Sequence, residues 1–256
     1  MLRRYYKAEV VKNRRTAAGK LIFLMPALTA VLVVFLMPGY FAVGGYNWWY
    51  MAVYPAAMAL ICGMAGEKDK KMKNRAILSL PVRMKSVWDG KVMYGLRMLI
   101  LSMAVMEGLS LAVCKILEQG FGVAFEAEIT IAGQIAAAVF LIAAFLWQVP
   151  FCLLLQQFFG VPLSFLIHMA SYAIVASSFS LKPYFMLFPG AIPARVMCRI
   201  IKVLPNGLPA VPGSATFAPE LLDARLMWIG TAASVLWFVL FWHVGRILYE
   251  RKGVER

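Results

Sequence analysis

Residues 129–181 read ITIAGQIAAAVFLIAAFLWQVPFCLLLQQFFGVPLSFLIHMASYAIVASSFSL and contain no Asp, Glu, Lys or Arg. A run this long is more than one bilayer crossing, because the hydrocarbon core takes roughly 20 helical residues at about 1.5 Å each. It suits two helices joined at Phe159-Gly160-Val161-Pro162, where Gly and Pro punctuate the pattern. The rest of the chain agrees. Of 256 residues, 62% are hydrophobic and only 15% charged, and the mean hydropathy is +0.75. A soluble domain is about one quarter charged and must cover its surface with polar groups. The expected fold class is therefore an all-α integral membrane protein.

Working outward, four further stretches have the length and apolarity of spans. Residues 21–37 (LIFLMPALTAVLVVFLM) carry Pro26 inside and Pro38-Gly39 at their end. An uncharged tight outer turn then leads to residues 48–66, where Trp48-Trp49-Tyr50 suits the water–lipid boundary. Residues 92–115 and 226–248 complete the set, with the central pair at 129–158 and 162–181. The expectation is one transmembrane domain over 1–256 with six transmembrane helices. Residues 182–225 hold seven prolines and apolar pieces at 184–188 and 196–204 that are too short to cross. They are expected to form an outer re-entrant hairpin before the last span, turning at Pro205-Asn206-Gly207.

Orientation follows from the cations. Positions 1–20, 67–91 and the tail from Arg246 carry 19 Lys/Arg, against six on the other side (Lys115, Lys182, Arg195, Arg199, Lys202 and Arg225). By the positive-inside rule both termini are expected to be cytoplasmic and the N-terminal segment to be a retained one. The same rule accounts for the net charge of +14 without nucleic acid as a partner. The four cysteines form no CxxC and no metal-ligand spacing. Cys62 and Cys152 read as buried hydrophobes; Cys114 and Cys198, both on the outer side, are expected to be unpaired.

The basic segment 67–91 (EKDKKMKNRAILSLPVRMKSVWDGK) is the most informative. Its centre, 76–82, is apolar between cationic flanks, which suits a short amphipathic helix docking on a cytoplasmic partner or lying on lipid. Lys70, Lys71, Arg75, Leu78, Ser79, Leu80, Pro81 and Trp88 are its candidate contact residues. Leu2, Tyr6 and Val10 share helical spacing and suit an interfacial helix ahead of the first span. Glu107, inside the third span, is costly in lipid and is expected to face the bundle and find a partner. Gln148, Gln156 and His168 could bond between helices or line a substrate path. Glu118, Glu126, Glu128 and Arg195 are expected on the outer surface. The chain has no GxxxxGK[ST], HExxH or GxSxG, so neither an ATPase nor a membrane hydrolase is expected on it, and no metal site.

Several stretches resemble the permease subunits of bacterial ABC transporters that confer lantibiotic self-immunity, within the ABC-2 exporter superfamily. They are Gly45-Tyr46-Asn47-Trp48-Trp49-Tyr50, the segment from Lys68 to Pro81, Val87-Trp88-Asp89-Gly90-Lys91, Ile192-Pro193-Ala194-Arg195-Val196-Met197-Cys198 and Leu204-Pro205-Asn206-Gly207. The resemblance implies an ABC-2 type permease domain that pairs with a second permease copy or a related permease. It implies a separate ABC ATP-binding subunit carrying ATP and magnesium, with no cofactor on this chain. It also makes 67–91 the cytoplasmic coupling helix and lantibiotic peptides the substrate, expelled from the bacterial cytoplasmic membrane. By charge sign, Glu118, Glu126 and Glu128 would attract such cationic peptides, and Arg195 would meet membrane lipids. The competing classes are an ABC-2 exporter of another substrate (bacitracin-like peptide, drug or glycolipid), an ion-coupled secondary transporter, and a membrane anchor or sensor.

Overall fold

The computed structural model describes residues 2–71, 77, 79–127 and 129–254. Six of its helices are long and apolar enough to cross a membrane, which is the composition of a multi-pass membrane protein. Helix α1 (Leu2–Lys12) precedes them. The first span is α2 (Ala17–Leu36), and Arg15 takes a left-handed φ of 64° in the short link between the two. The second is continuous from Pro38 to Lys70, through a 3-10 turn, α3 (Phe41–Trp48), a π turn (Trp49–Val53) and α4 (Tyr54–Lys71). The third is α5 (Met84–Lys115), prolonged by a π turn to Gly120. The fourth comprises α6 (Ile131–Ala144) and α7 (Gln148–Phe159), the fifth is α8 (Val161–Phe179) and the sixth is α10 (Ala224–Val254).

The second span is the hub: 72% of its apolar window is buried, against 11% for the last. It touches α2, α5, α7 and α8. One apolar core runs through all six spans. The outward residues, such as Phe23, Phe35, Leu166, Trp228 and Leu236, are large and exposed, as lipid-facing positions are.

Helix α1 and the C-terminal end of α10 lie at one end of the bundle, beside the start of α5, here termed the basic end. The expected number of spans holds, but their limits move. The stretch 38–47 is helix, not a turn; the chain reverses at Met37 instead, whose φ and ψ are −154° and 67°. Phe41 through Tyr46 are all buried, and a Cβ at Gly44 would stand 3.0 Å from Met37 Sδ. Glycine there admits the neighbouring helix end, so uncharged residues that look like a turn are packed as a helix. Trp49 and Tyr50 are fully buried midway along the span and are not at a water–lipid boundary. Residues 67–71 and 84–91 extend the flanking helices, which shortens the basic connector to 72–83.

Residues 182–223, at the opposite end, do not cross. A 3-10 turn (Phe185–Leu187) leads through a second one to α9 (Ile192–Ile200), which packs against α6 and α10 and buries Ile192 through Cys198. Val203 and Pro209 then form an isolated antiparallel bridge about the expected turn, with Gly207 at φ 86°. A Cβ is unfavourable there, so glycine fits.

Candidate coupling site and intramembrane polar contacts

At the basic end the strongest polar cluster joins three elements. Glu9 of α1 and Asp69 of α4 face Lys12 and Lys91. Lys12 Nζ lies 2.5 Å from Glu9 Oε1 and 2.7 Å from Asp69 Oδ2. Lys91 Nζ lies 3.2 Å from Glu9 and also donates to Asp69. Two carboxylates and two ammonium groups neutralise one another, which is the condition for burying them. The Lys91 side chain is 2% exposed, that of Lys12 27%. Asn13 Nδ2 donates to Glu9 O at 3.0 Å, and Lys68 Nζ to Lys12 O at 2.6 Å, closing the end of α1. Helix α1 approaches α5 so closely that a Cβ at Gly90 would stand 3.0 Å from the Tyr5 backbone. The amphipathic α1 therefore docks on the bundle through a buried acid. Glu9 is the one acid among the seven cations of 1–20, and that isolation was its only signal in the sequence.

The candidate contact residues divide. Ser79, Leu80 and Pro81 are exposed, Leu80 by 57%. Arg75 and Leu78 lie outside the described residues, as does the side chain of Lys71. Lys70 is engaged within the chain: its ammonium donates to Gln156 O at 3.1 Å and to Phe158 O at 3.4 Å, closing the C-terminal end of α7. Gln156, expected in the bundle, is buried beside it and donates to Glu67 Oε2 at 3.1 Å. Trp88, expected among the contact residues, belongs instead to the core. It is fully buried, donates Nε1–H to Trp242 O at 3.1 Å, and lies against Gly245, where a Cβ would fall 2.1 Å from the indole. It fastens α5 to α10 and offers no surface to a partner. Asp89 strengthens that seam, accepting from Trp242 Nε1 at 2.8 Å and facing Arg246 at 3.2 Å.

Midway through the bundle a π turn in the second span lies beside an interruption of the fourth. In the π turn the Tyr54 N–H reaches back five residues to Trp49 O. In that register the next donor would be residue 55, a proline with no N–H. Tyr50 O is thus left over, and Tyr172 of α8 donates its hydroxyl to it at 2.7 Å. The fourth span breaks at 145–147, ahead of Pro150, and Ser234 of α10 donates to Ala143 O at 2.7 Å. Gln148, just past this break, donates Nε2–H to Pro55 O at 2.8 Å and contacts His168 Nε2 at 2.7 Å. His168 is 1% exposed. With the amide donating, its Nε2 accepts and its proton resides on Nδ1. Gln148 and His168 therefore act together, between helices, while Gln156 serves a different end of the bundle. The apolar walls are aromatic: Tyr54 stacks edge-on against Phe145 at 4.9 Å and Trp147 lies 6.1 Å from His168.

Nearer the opposite end, Glu107 has its partner: Tyr46 donates its hydroxyl to Oε2 at 2.6 Å. Glu118 is exposed and lines a cleft of about 270 Å³ with Cys114, Lys115 and buried Gln134. Glu126 is exposed and its N–H donates to Gly39 O at 2.9 Å; Glu128 lies outside the described residues. Arg195 is not a surface residue. It is 4% exposed, stands 5.3 Å over the Phe185 ring and donates to Glu220 O at 3.1 Å. Burial pulls its pKa below the usual arginine value, against the opposing influence of Glu220 and Asp223. Its cation anchors the folded segment 182–223 and does not meet lipid headgroups. The four cysteines are free, and burial pushes the Cys198 thiol up to about 12.

No protein-family model, curated protein or solved structure matches this chain.

Proposed function

We propose that the chain is the transmembrane permease subunit of an ATP-driven ABC-2 type exporter that protects bacteria from lantibiotic-type peptides by expelling them from the cytoplasmic membrane. Both termini and the connector 72–83 are cytoplasmic. A separate ATP-binding subunit, with ATP and magnesium, engages the connector, and a second permease copy or relative completes the complex.

One observation carries the reading. The connector joins α4 and α5, and the root of each is locked to the other through Asp69 and Lys91. A push on the connector therefore moves the hub of the bundle and its neighbour together, and α1 with them. Leu80, a connector residue more than half exposed, is the apolar contact offered to the ATPase. The exposed Glu118 and its cleft at the opposite end are the first attraction for a cationic peptide.

Co-purification tests it. The chain is expressed with ABC ATP-binding subunits from its own source genome, as wild type and as Leu80→Glu with Ser79→Glu. Loss of the ATPase from the variant is expected, with the same detergent-gel-filtration profile for the chain itself. Undiminished co-purification counts against the coupling role.

An ion-coupled secondary transporter is favoured by a different observation: the interrupted fourth span and the π turn of the second meet beside His168, and such transporters place ion sites at discontinuous helices. Peptide resistance that survives inactivation of the ATPase but collapses with a protonophore would select it.

A further inference from the structure

A groove of about 620 Å³ runs along the outward face of α10. Ile229, Ala232, Leu236 and Leu240 form one wall, and Met186 and Leu187 of the 3-10 turn form the other. Its floor is held by Trp237, whose Nε1–H donates to Met186 O at 3.1 Å. The lining is apolar throughout, so within a membrane it asks for hydrocarbon. Its length says how much. From Ile229 to Leu240 the helix rises about 16 Å, close to half of the roughly 30 Å hydrocarbon core. That is the depth of one leaflet.

The ends of the groove are unlike. Arg225 stands one turn before Ile229 on the same helical face. Lys182 precedes the opposite wall, its carbonyl accepting from Phe185 N at 3.2 Å. Both side chains are exposed and neither makes an ion pair among the described residues. The nearby carboxylate of Asp223 is turned to the helix terminus, accepting from the Arg225 backbone N–H at 2.8 Å; Glu220 is exposed one element earlier. One unpaired cation a turn before the groove on α10 and a second leading into its other wall make a complement to a phosphate above an acyl chain. We propose that this groove is a binding site for an anionic phospholipid, its acyl chain lying along α10 and its phosphate between Arg225 and Lys182. The site is independent of what the protein exports.

The experiment is native mass spectrometry of the purified full chain titrated with phosphatidylglycerol or phosphatidylcholine of identical acyl chains. Wild type should hold phosphatidylglycerol roughly fivefold or more tightly, the scale of one cation acting on an anionic headgroup. Arg225→Gln with Lys182→Gln should abolish the preference and leave binding of the zwitterionic lipid. Ala232→Phe, at an exposed position, should weaken both lipids by filling the groove. Equal retention of the two lipids by wild type overturns the proposal, as does unaltered binding in Ala232→Phe. So does a lipid-free dimer that Ala232→Phe dissociates, which would assign the groove to a second copy. The two surface charge changes remove no packing, so they decide the matter even if the phenylalanine variant misfolds.

Discussion

Lys91 holds the most consequential position among the charged residues. Its ammonium is enclosed by Glu9 and Asp69 and has almost no access to water. Removing one partner of a buried pair leaves an uncompensated charge and costs about 3–5 kcal/mol. Lys91→Met should therefore lower stability by that order in equilibrium unfolding from mixed micelles. Lys12→Met removes a cation of the same cluster that water partly reaches, and should cost less than Lys91→Met because solvent takes up part of the lost compensation. Equal effects of the two would refute the enclosure. Neither role was legible in the sequence. Lysines in a basic loop look like solvated charge, and only the docking of α1 turns Lys91 into an internal counter-ion. Glu107 was legible, because an acid within a span must find a donor, and Tyr46 supplies it.

Among the elements, the second span shows how an internal proline is accommodated. Pro55 removes a donor, the π turn shifts the deficit to Tyr50 O, and the Tyr172 hydroxyl answers it. An unsatisfied buried carbonyl costs about 1–3 kcal/mol. Tyr172→Phe should destabilise by that amount. In a Pro55→Ala background the restored N–H should reduce the cost, giving a coupling of about 0.5 kcal/mol or more in a double-mutant cycle. Additive effects would detach Tyr172 from the proline. The six spans could be read from composition because lipid demands length and apolarity of each. Residues 38–47 could not, since glycines, Pro38 and Asn47 mimic a loop and only burial among neighbours makes them helical. Trp88 was misplaced for a related reason: its helix begins at Met84, eight residues before the apolar run that announces the span, so a core residue of the α5–α10 seam lay in what looked like a loop.

At the scale of the whole molecule, charge and topology agree. The connector, α1 and the end of α10 share one end of the bundle, and the folded 182–223 segment occupies the other. If the basic end is cytoplasmic, a membrane-impermeant maleimide added to intact cells should label Leu208→Cys and spare Leu80→Cys, both exposed positions. The reverse labelling would invert the molecule. The central claim is that the connector between α4 and α5 receives force from an ATP-binding subunit. The most direct measurement is cross-linking from Leu80→Cys, with a short thiol–amine reagent, in membranes that also contain that subunit. An adduct of the 28.5 kDa chain with the ATPase is expected, with a yield that changes when ATP is added. Absence of any adduct, in membranes where peptide resistance persists, would contradict the claim.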